Sequence, residues 1–468
     1  QMADLPSFLI TTWFTRICPM WSAFDSETNM NRKTARETWP SNEAVFYSLQ
    51  SMAASYVAEE LPHLRSIATL SAQRAVQAIR RDLPLALASR QVDQVSTGLC
   101  LSLVCLGTSL CWSDSKQIGL PFLREMKLLL QPLNQQSGEC SMQELQTLSF
   151  FNNSCFYWDM LCSAVSSDRT SVGLSWEAYH DLDCWARQST PHPWTGISAT
   201  AQRLFASAIS LCRRFHGREK RPHKITAASL QASIQDIGEA VRLEEQIRSL
   251  VEPDLLGSFD TGDTSTPSSH LVHVSAAYRL AALLQLYVTF DDLTSSSPLN
   301  HGPVTAATSP ITESGSSRRH STALSLLQIL ESIPPDSGSR SIQPILYLTA
   351  GVGLRFDNAA KPDAMPLEPF RALLPTESYG LGFSTVINSV QDSTSLSYDS
   401  ALENSLSIGR ARHFVMKRFD SLEQSLPSRP IKVAKELMQA IWASYDNLPN
   451  ETHWLDVMER TGLYTIFG

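Results

Sequence analysis

Apolar positions recur along this chain at intervals of three and four residues, with polar positions filling the gaps. In SNEAVFYSLQSMAASYVAEEL (41–61), Val45, Leu49, Met52 and Tyr56 fall at i, i+4, i+7 and i+11. That spacing lines one face of an α-helix. Ser41 is placed as its N-cap, and Glu43 suits the electropositive first turn. Ala53 and Ala54 leave room for a neighbouring helix. Pro62 ends this helix, and a second is predicted from about Arg65 to Leu83, stopped by Pro84. In VSTGLCLSLVCLGTSLCW (95–112), Val95, Leu99, Leu103, Leu106 and Leu110 form another stripe. The same reasoning predicts helices near 119–131, 143–165, 176–188, 198–216, 226–250, 271–290, 321–332, 341–355, 401–425, 430–446 and 451–461. No stretch alternates with period two, and no Asn-Gly hairpin signal occurs. The predicted fold class is all-α: a large multi-helix bundle of antiparallel helices joined by flexible Ser/Thr/Pro-rich loops.

Three stretches break the pattern. LGSFDTGDTSTPSSH (256–270) and residues 291–322 are dense in Ser, Thr, Pro and Gly and are expected to be mobile loops. Residues 362–400 are mixed and expected to be partly ordered. The organisation that follows is an N-terminal helical part, 1–255, then a helix at 271–290 between flexible loops, 256–322, then a C-terminal helical part of the same domain, 323–468. No fixed-period repeat supports a solenoid.

The stretch AAYRLAALLQLYVTF (276–290) is the most apolar, yet it holds Arg279 and Gln285 and is followed by Asp291 and Asp292. A membrane span needs about 20 apolar residues in a row, so a buried helix of a bundle is the better reading and no membrane partner is expected. Arg279 is expected to form a salt bridge or to hydrogen-bond backbone carbonyls.

Composition narrows the function classes. Of the 468 residues, 43% are hydrophobic and 18% charged, with net charge −8. An acidic chain does not hold nucleic acid over a broad surface, because phosphate binding needs clustered Lys and Arg. The run RRFHGREKRPHK (213–224) is the local exception and reads as a solvated connection between helices. Nine cysteines at 18, 100, 105, 111, 140, 155, 162, 184 and 212 include no C-x-x-C pair. They read as free core thiols in a reducing compartment. Arg16 interrupts the apolar N-terminus, which reads as a folded segment and not a signal peptide. The initial Gln points to a piece of a longer chain.

A search for catalytic chemistry returns little. FDDLTS (290–295) resembles the start of a D-D-x-x-D magnesium motif at a helix end, but Ser295 stands where the third carboxylate belongs. There is no G-x-S-x-G elbow. AGVGLRF (350–356) reads as a helix C-terminus with glycine in left-handed geometry, not as a dinucleotide loop. His192, His216 and His223 lack H-E-x-x-H spacing and read as surface or capping residues. Cys100, Cys105 and Cys111 cannot share one helix face for zinc. No catalytic residue, metal or cofactor is assigned.

Ordered landmarks carry a family resemblance. CPMWSAFDSETNMNR (18–32) and residues 51–79 resemble the start of the fungal-specific transcription factor domain, in the branch typified by sterol-responsive regulators. Phe24, Asp25, Ser26, Asn29 and Arg32 fit, whereas Met30 and Asn31 replace the more usual Pro-Phe. FYWDMLCSAVSSD (156–168), HPWTGISATAQRLFASAISL (192–211), AAYRLAALLQLYV (276–288), ARHFVMKRFDSLEQSL (411–426), AIWASYD (440–446) and WLDVMERTGL (454–463) resemble later family segments in the same order. The resemblance implies a nuclear regulator, shuttling from the cytoplasm in some cases, whose helical domain senses a ligand and relays its state to the transcription machinery. It also implies a homodimer. The family's zinc cluster needs six cysteines with two C-x-x-C pairs. None occurs here, so no direct nucleic-acid contact is expected of this chain.

The expected function is therefore a ligand-sensing regulatory domain, with Tyr278, Leu283, Leu284 and Tyr287 facing a cavity for a hydrophobic small molecule. An alternative is an enzyme on the same helices, cyclising or isomerising a hydrophobic metabolite without metal. A further alternative is a protein-binding scaffold, which a pocket too small for a ligand would favour.

Overall fold

Helical spacing becomes helical structure almost throughout. A computed structural model describes residues 4–166, 191–197, 199–219, 226–250, 259–295, 315–356, 393–447 and 452–467. Among them the elements are α1 (Leu5–Thr12), a π-helical turn (Trp13–Ile17), α2 (Cys18–Trp21), α3 (Met30–Thr38), α4 (Glu43–Val57), α5 (Leu64–Ser89) and α6 (Gln94–Ser113). There follow α7 (Leu120–Gln135), α8 (Met142–Val165), α9 (Ala199–Glu219), α10 (Ala227–Ser249), α11 (Ser268–Thr289) and the short α12 (Asp291–Ser295). The last are α13 (Gly315–Glu331), α14 (Pro344–Val352), α15 (Ser393–Ser425), α16 (Ser428–Asn447) and α17 (Trp454–Thr461). No strand occurs among the described residues; His192 and Gly196 form one isolated bridge. The fold is an all-α multi-helix bundle.

One hydrophobic core runs from Leu9 to Phe467. Helix α4 packs on α5 and α6, α8 on α7 and α9, and α11 on α9, α13 and α14. Helices α6 and α11 are both long and apolar enough to cross a membrane, but the apolar window of α6 is 83% buried inside the bundle and that of α11 61%. Both serve as core helices. Starts follow capping chemistry. Asp93, Ser141 and Thr226 each accept from the third backbone N–H of α6, α8 and α10, and the third residue's side chain answers at the cap N–H.

Several expectations are corrected. The N-cap of α4 is Asn42, whose Oδ1 accepts from the Val45 N–H at 3.0 Å, not Ser41. Helix α5 continues through Pro84 to Ser89 and stops where Arg90 turns left-handed at φ 54°. Burial of Ala86 in that last turn helps offset the bond that proline deletes. Helix α14 ends at Gly353 with φ −78°, so its glycine is not left-handed. Glycine is required there by closeness, since a Cβ would lie 2.8 Å from the Ala323 Cβ.

Composition misled most at 256–270. Residues 259–267 are ordered, with Thr261 and Thr266 fully buried. The Thr261 hydroxyl donates to the Thr266 carbonyl at 2.6 Å, and Asp263 Oδ1 accepts from the Ser265 N–H at 2.8 Å. Such side-chain bonds satisfy a turn that has no helix to do so. Within 291–322, residues 291–295 form α12 and 315–322 open α13, where mobile loop was expected. The basic run 213–224 is likewise not a solvated connection as far as 219. It forms the last turns of α9, with Arg214 on Asp236 and Glu239, His216 Nε2 2.8 Å from Asp456 Oδ1, and Arg213 donating to the Ser163 carbonyl at 3.0 Å. The expected helix at 176–188, most of 362–400, Cys184 and His223 lie outside the described residues.

Candidate functional site

Four connections meet at one end of the bundle: residues 22–29, 191–197, 259–267 and 334–343. The N-terminal landmark supplies the knot that holds them. Asn29 is fully buried, and its amide donates to Ser22 Oγ (3.1 Å), the Phe24 carbonyl (3.3 Å) and Asp25 Oδ1 (3.0 Å). Asn29 Oδ1 caps α3 by accepting from the Asn31 N–H. Arg32 grips Asp25 through both carboxylate oxygens and donates to the Phe14 carbonyl at 2.9 Å. Asn31 is buried and donates to Ser22 Oγ at 3.1 Å. The Asp25 N–H donates to Asp263 Oδ2 at 2.9 Å, which fastens the knot to the 259–267 turn.

The 191–197 turn is organised by His192. Its Nδ1 accepts from the Trp194 and Thr195 N–H groups at 3.0 and 3.1 Å, so the proton sits on Nε2, which faces the Phe150 carbonyl (3.1 Å) and Ser154 Oγ (3.2 Å). Burial pushes its pKa down to about 4, because an imidazolium here would lose its hydration. His192 is thus a capping residue of a turn, and a neutral one. Trp194 Nε1 then donates to the Trp21 carbonyl at 3.0 Å, and the Ala23 N–H to the Pro193 carbonyl at 2.6 Å.

Beneath these loops lies a cavity of about 20 Å³. Its aromatic walls are Trp21, Tyr157, Trp158 and Trp194, and Ser341 and Ile466 add to the lining. Trp21 and Trp194 meet edge to face at 4.2 Å between centroids. Ser341 Oγ is buried and has no hydrogen-bond partner. Each water needs roughly 10–15 Å³ by this measure, so the space holds one or two.

The four residues expected from α11 do not line this cavity. Tyr278 is fully buried and reaches its wall indirectly: its hydroxyl donates to the Ile342 carbonyl at 3.0 Å and lies 3.4 Å from the Tyr157 hydroxyl. Burial raises the pKa of both phenols. Gln202 of α9, fully buried near Tyr278, makes no well-aligned hydrogen bond with either amide atom. Tyr287 points the other way, donating to Glu244 Oε1 at 2.7 Å and accepting from Arg248 at 2.8 Å, both on α10. Leu284 packs at the end of α14, beside Gly353. Leu283 is buried in the same core. The four therefore spread over several neighbours.

Sequence reasoning missed Trp21, Tyr157, Trp158, Trp194 and Ser341 as neighbours. The signal existed, because all the aromatics belong to the CPMW, FYWDM and HPW landmarks, and the Tyr-Arg landmark contributes Tyr278 behind them.

Among the described residues no three His, Cys, Asp or Glu side chains are placed to hold a metal. Asp291 pairs with Arg319 at 3.4 Å. Cys100, Cys105 and Cys111 are buried thiols whose pKa values burial pushes up, that of Cys111 to about 12. Lys127 and Asp159 form a buried ion pair at 2.7 Å between α7 and α8.

The sequence profile described as the fungal specific transcription factor domain matches residues 7–352 and 400–468. No curated protein and no solved structure matches the chain.

Proposed function

The chain belongs to the fungal-specific transcription factor domain family, and from that premise we propose that it is the regulatory domain of a nuclear transcription factor, acting on the transcription machinery through protein contacts. The observation that carries the protein-contact reading is the size of the aromatic cavity. At about 20 Å³ it is far below the ~300 Å³ at which small-molecule sites begin. A hydrophobic effector does not fit there without separating α8 from the loops that cover it. The domain then works as a stiff platform whose loop knot keeps its surfaces in register.

A second reading is favoured by two specific groups. Ser341 Oγ is buried without a partner and the Gln202 amide makes no well-aligned hydrogen bond, and such groups are costly unless something satisfies them. A small effector that supplied those bonds would touch Tyr157 first and move Tyr278, coupling the loop end to α11. In that case Tyr278, Leu283, Leu284 and Tyr287 transmit or line the effector site.

The test joins two measurements. The chain is tethered to a heterologous DNA-binding domain in a fungal reporter strain, and small molecules released from the purified protein on denaturation are weighed by mass spectrometry. Changed reporter output with no stoichiometric compound supports the contact reading. One stoichiometric compound moves the assignment to the effector reading. Output equal to that of the DNA-binding domain alone removes the regulatory role.

A further inference from the structure

Arg-Arg occurs three times in this chain, at 80–81, 213–214 and 318–319. Only the last pair is followed two positions on by a hydroxyl, in Arg318-Arg319-His320-Ser321. Ser321 lies in the second turn of α13 and is exposed, and its hydroxyl donates to the Arg318 carbonyl at 3.1 Å. The two arginines clasp α13 to α12 and to the end of α11. Arg318 Nη1 donates to the Leu293 carbonyl at 2.7 Å, and its guanidinium lies 5.9 Å from the Tyr287 ring centroid. Arg319 reaches Asp291 at 3.4 Å.

Helix α13 begins against local preference. Gly315, Ser316 and Ser317 are weak helix formers. The first turn has no acidic residue, and the arginines stand near the electropositive pole of the helix. The turns that carry Ser321 therefore open readily.

We propose that Ser321 is a phosphorylation site for a protein kinase with an acidic peptide cleft, and that its phosphate draws Arg318 off α12. Two guanidiniums ahead of the hydroxyl complement such a cleft, and opening of the first two turns presents them on an extended chain. In the transfer, Ser321 Oγ bonds to the γ-phosphorus of ATP. The bond from that phosphorus to the ADP oxygen breaks, and the hydroxyl proton passes to the kinase's general base. Once the helix re-forms, Arg318 lies three residues from Ser321 on the same side. A phosphate there carries close to two negative charges. Its charge-assisted bond to a guanidinium is stronger than the bond Arg318 makes to the neutral Leu293 carbonyl. Arg319 is two residues from Ser321, does not share its side of the helix and keeps Asp291. The modification thus opens half of the clasp.

The full chain is incubated with the catalytic subunit of cyclic-AMP-dependent protein kinase and magnesium ATP, and the phosphate is located by peptide mass spectrometry. Ser321 should carry it, and Ser321→Ala should remove that signal. An acidophilic kinase should leave Ser321 unmodified. Amide exchange then reads the clasp. Peptides spanning 287–295 should exchange about threefold faster or more in the phosphorylated chain, with α6 unchanged. Arg318→Gln should give the same acceleration without phosphate. A folded chain left unmodified at Ser321, while a synthetic 315–324 peptide is modified, overturns the site, because the fold then hides it. Phosphorylated Ser321 with unaltered exchange at 287–295 overturns the release of α12. So does an Arg318→Gln chain that exchanges there like the parent.

Discussion

Helices α6 and α11 look alike by hydropathy and differ in how they are held. Every polar side chain near the middle of α6 is satisfied inside the helix itself: Ser102, Thr108 and Ser109 donate to the carbonyls of Gly98, Val104 and Cys105 at 2.6–2.8 Å. What fixes α6 is shape. A Cβ on Gly107 would lie 2.0 Å from Trp158 Cη2, so the indole rests on bare backbone. Helix α11 sends three of its polar groups outward. Tyr278 reaches the Ile342 carbonyl, Arg279 the Leu250 carbonyl, and Gln285 accepts from Trp454 Nε1 at 3.1 Å. Packing tolerates many registers, whereas a hydrogen bond specifies one partner. The pair therefore divides the work: α6 supplies dry contact and α11 fixes which elements surround it.

The sharpest way to break this contrast is volume at α6. Gly107→Val drives two methyls into the Trp158 ring and should cost about 3 kcal/mol or more in urea unfolding. A loss below about 1 kcal/mol would show that the indole can swing aside and that shape does not fix this helix. The next largest effect separates the two regions by pH. Helix α6 carries no titratable group but buried thiols, whereas the 191–197 turn beneath α11 depends on neutral His192. Its folded pKa of about 4 lies below the ordinary 6.5. Between these values the unfolded chain binds a proton that the folded chain refuses, so stability falls as pH falls through this window, by up to about 3 kcal/mol. His192→Gln should flatten that part of the slope relative to the parent, and equal slopes would remove the assignment. Tyr278→Phe comes third. It strands the buried Ile342 carbonyl and should cost about 2 kcal/mol; a neutral result would mean that α11 is held by packing after all.

The sequence made the two helices legible to different depths. Period and length placed both, and the rule that a charge entering a core needs oxygen gave Arg279 a salt bridge or backbone carbonyls, of which the structure has the Leu250 carbonyl. The 259–267 turn was illegible because its order depends on Asp25, more than 200 residues away, and composition carries no such partner. Pro84 was misread because a local rule lost to burial in the following turn. The aromatic cavity draws its walls from residues as distant as Trp21 and Ile466. Its tryptophans stood out as landmarks, but only the fold makes them neighbours. The four residues named within one apolar helix do not line this cavity, which draws on separate landmarks of the chain.

The smallest effect tests the outward reach of α11 at Arg279. Arg279 Nη1 donates to the carbonyl of Leu250, the C-cap of α10, at 2.9 Å. A cation at that end meets the negative pole of the helix and a carbonyl with no partner inside it. Arg279→Met keeps the aliphatic stem, so packing along α11 survives and only the bond and the charge are lost. The expected cost is about 1 kcal/mol, and Arg279→Lys should recover part of it as a point charge without the planar fork. Global stability alone cannot say where the loss falls. Amide exchange can: amides near 244–250 should exchange faster in Arg279→Met while those of α6 stay as they were. Equal acceleration in both helices would mean that α11 stabilises the bundle as a whole and does not address α10 in particular.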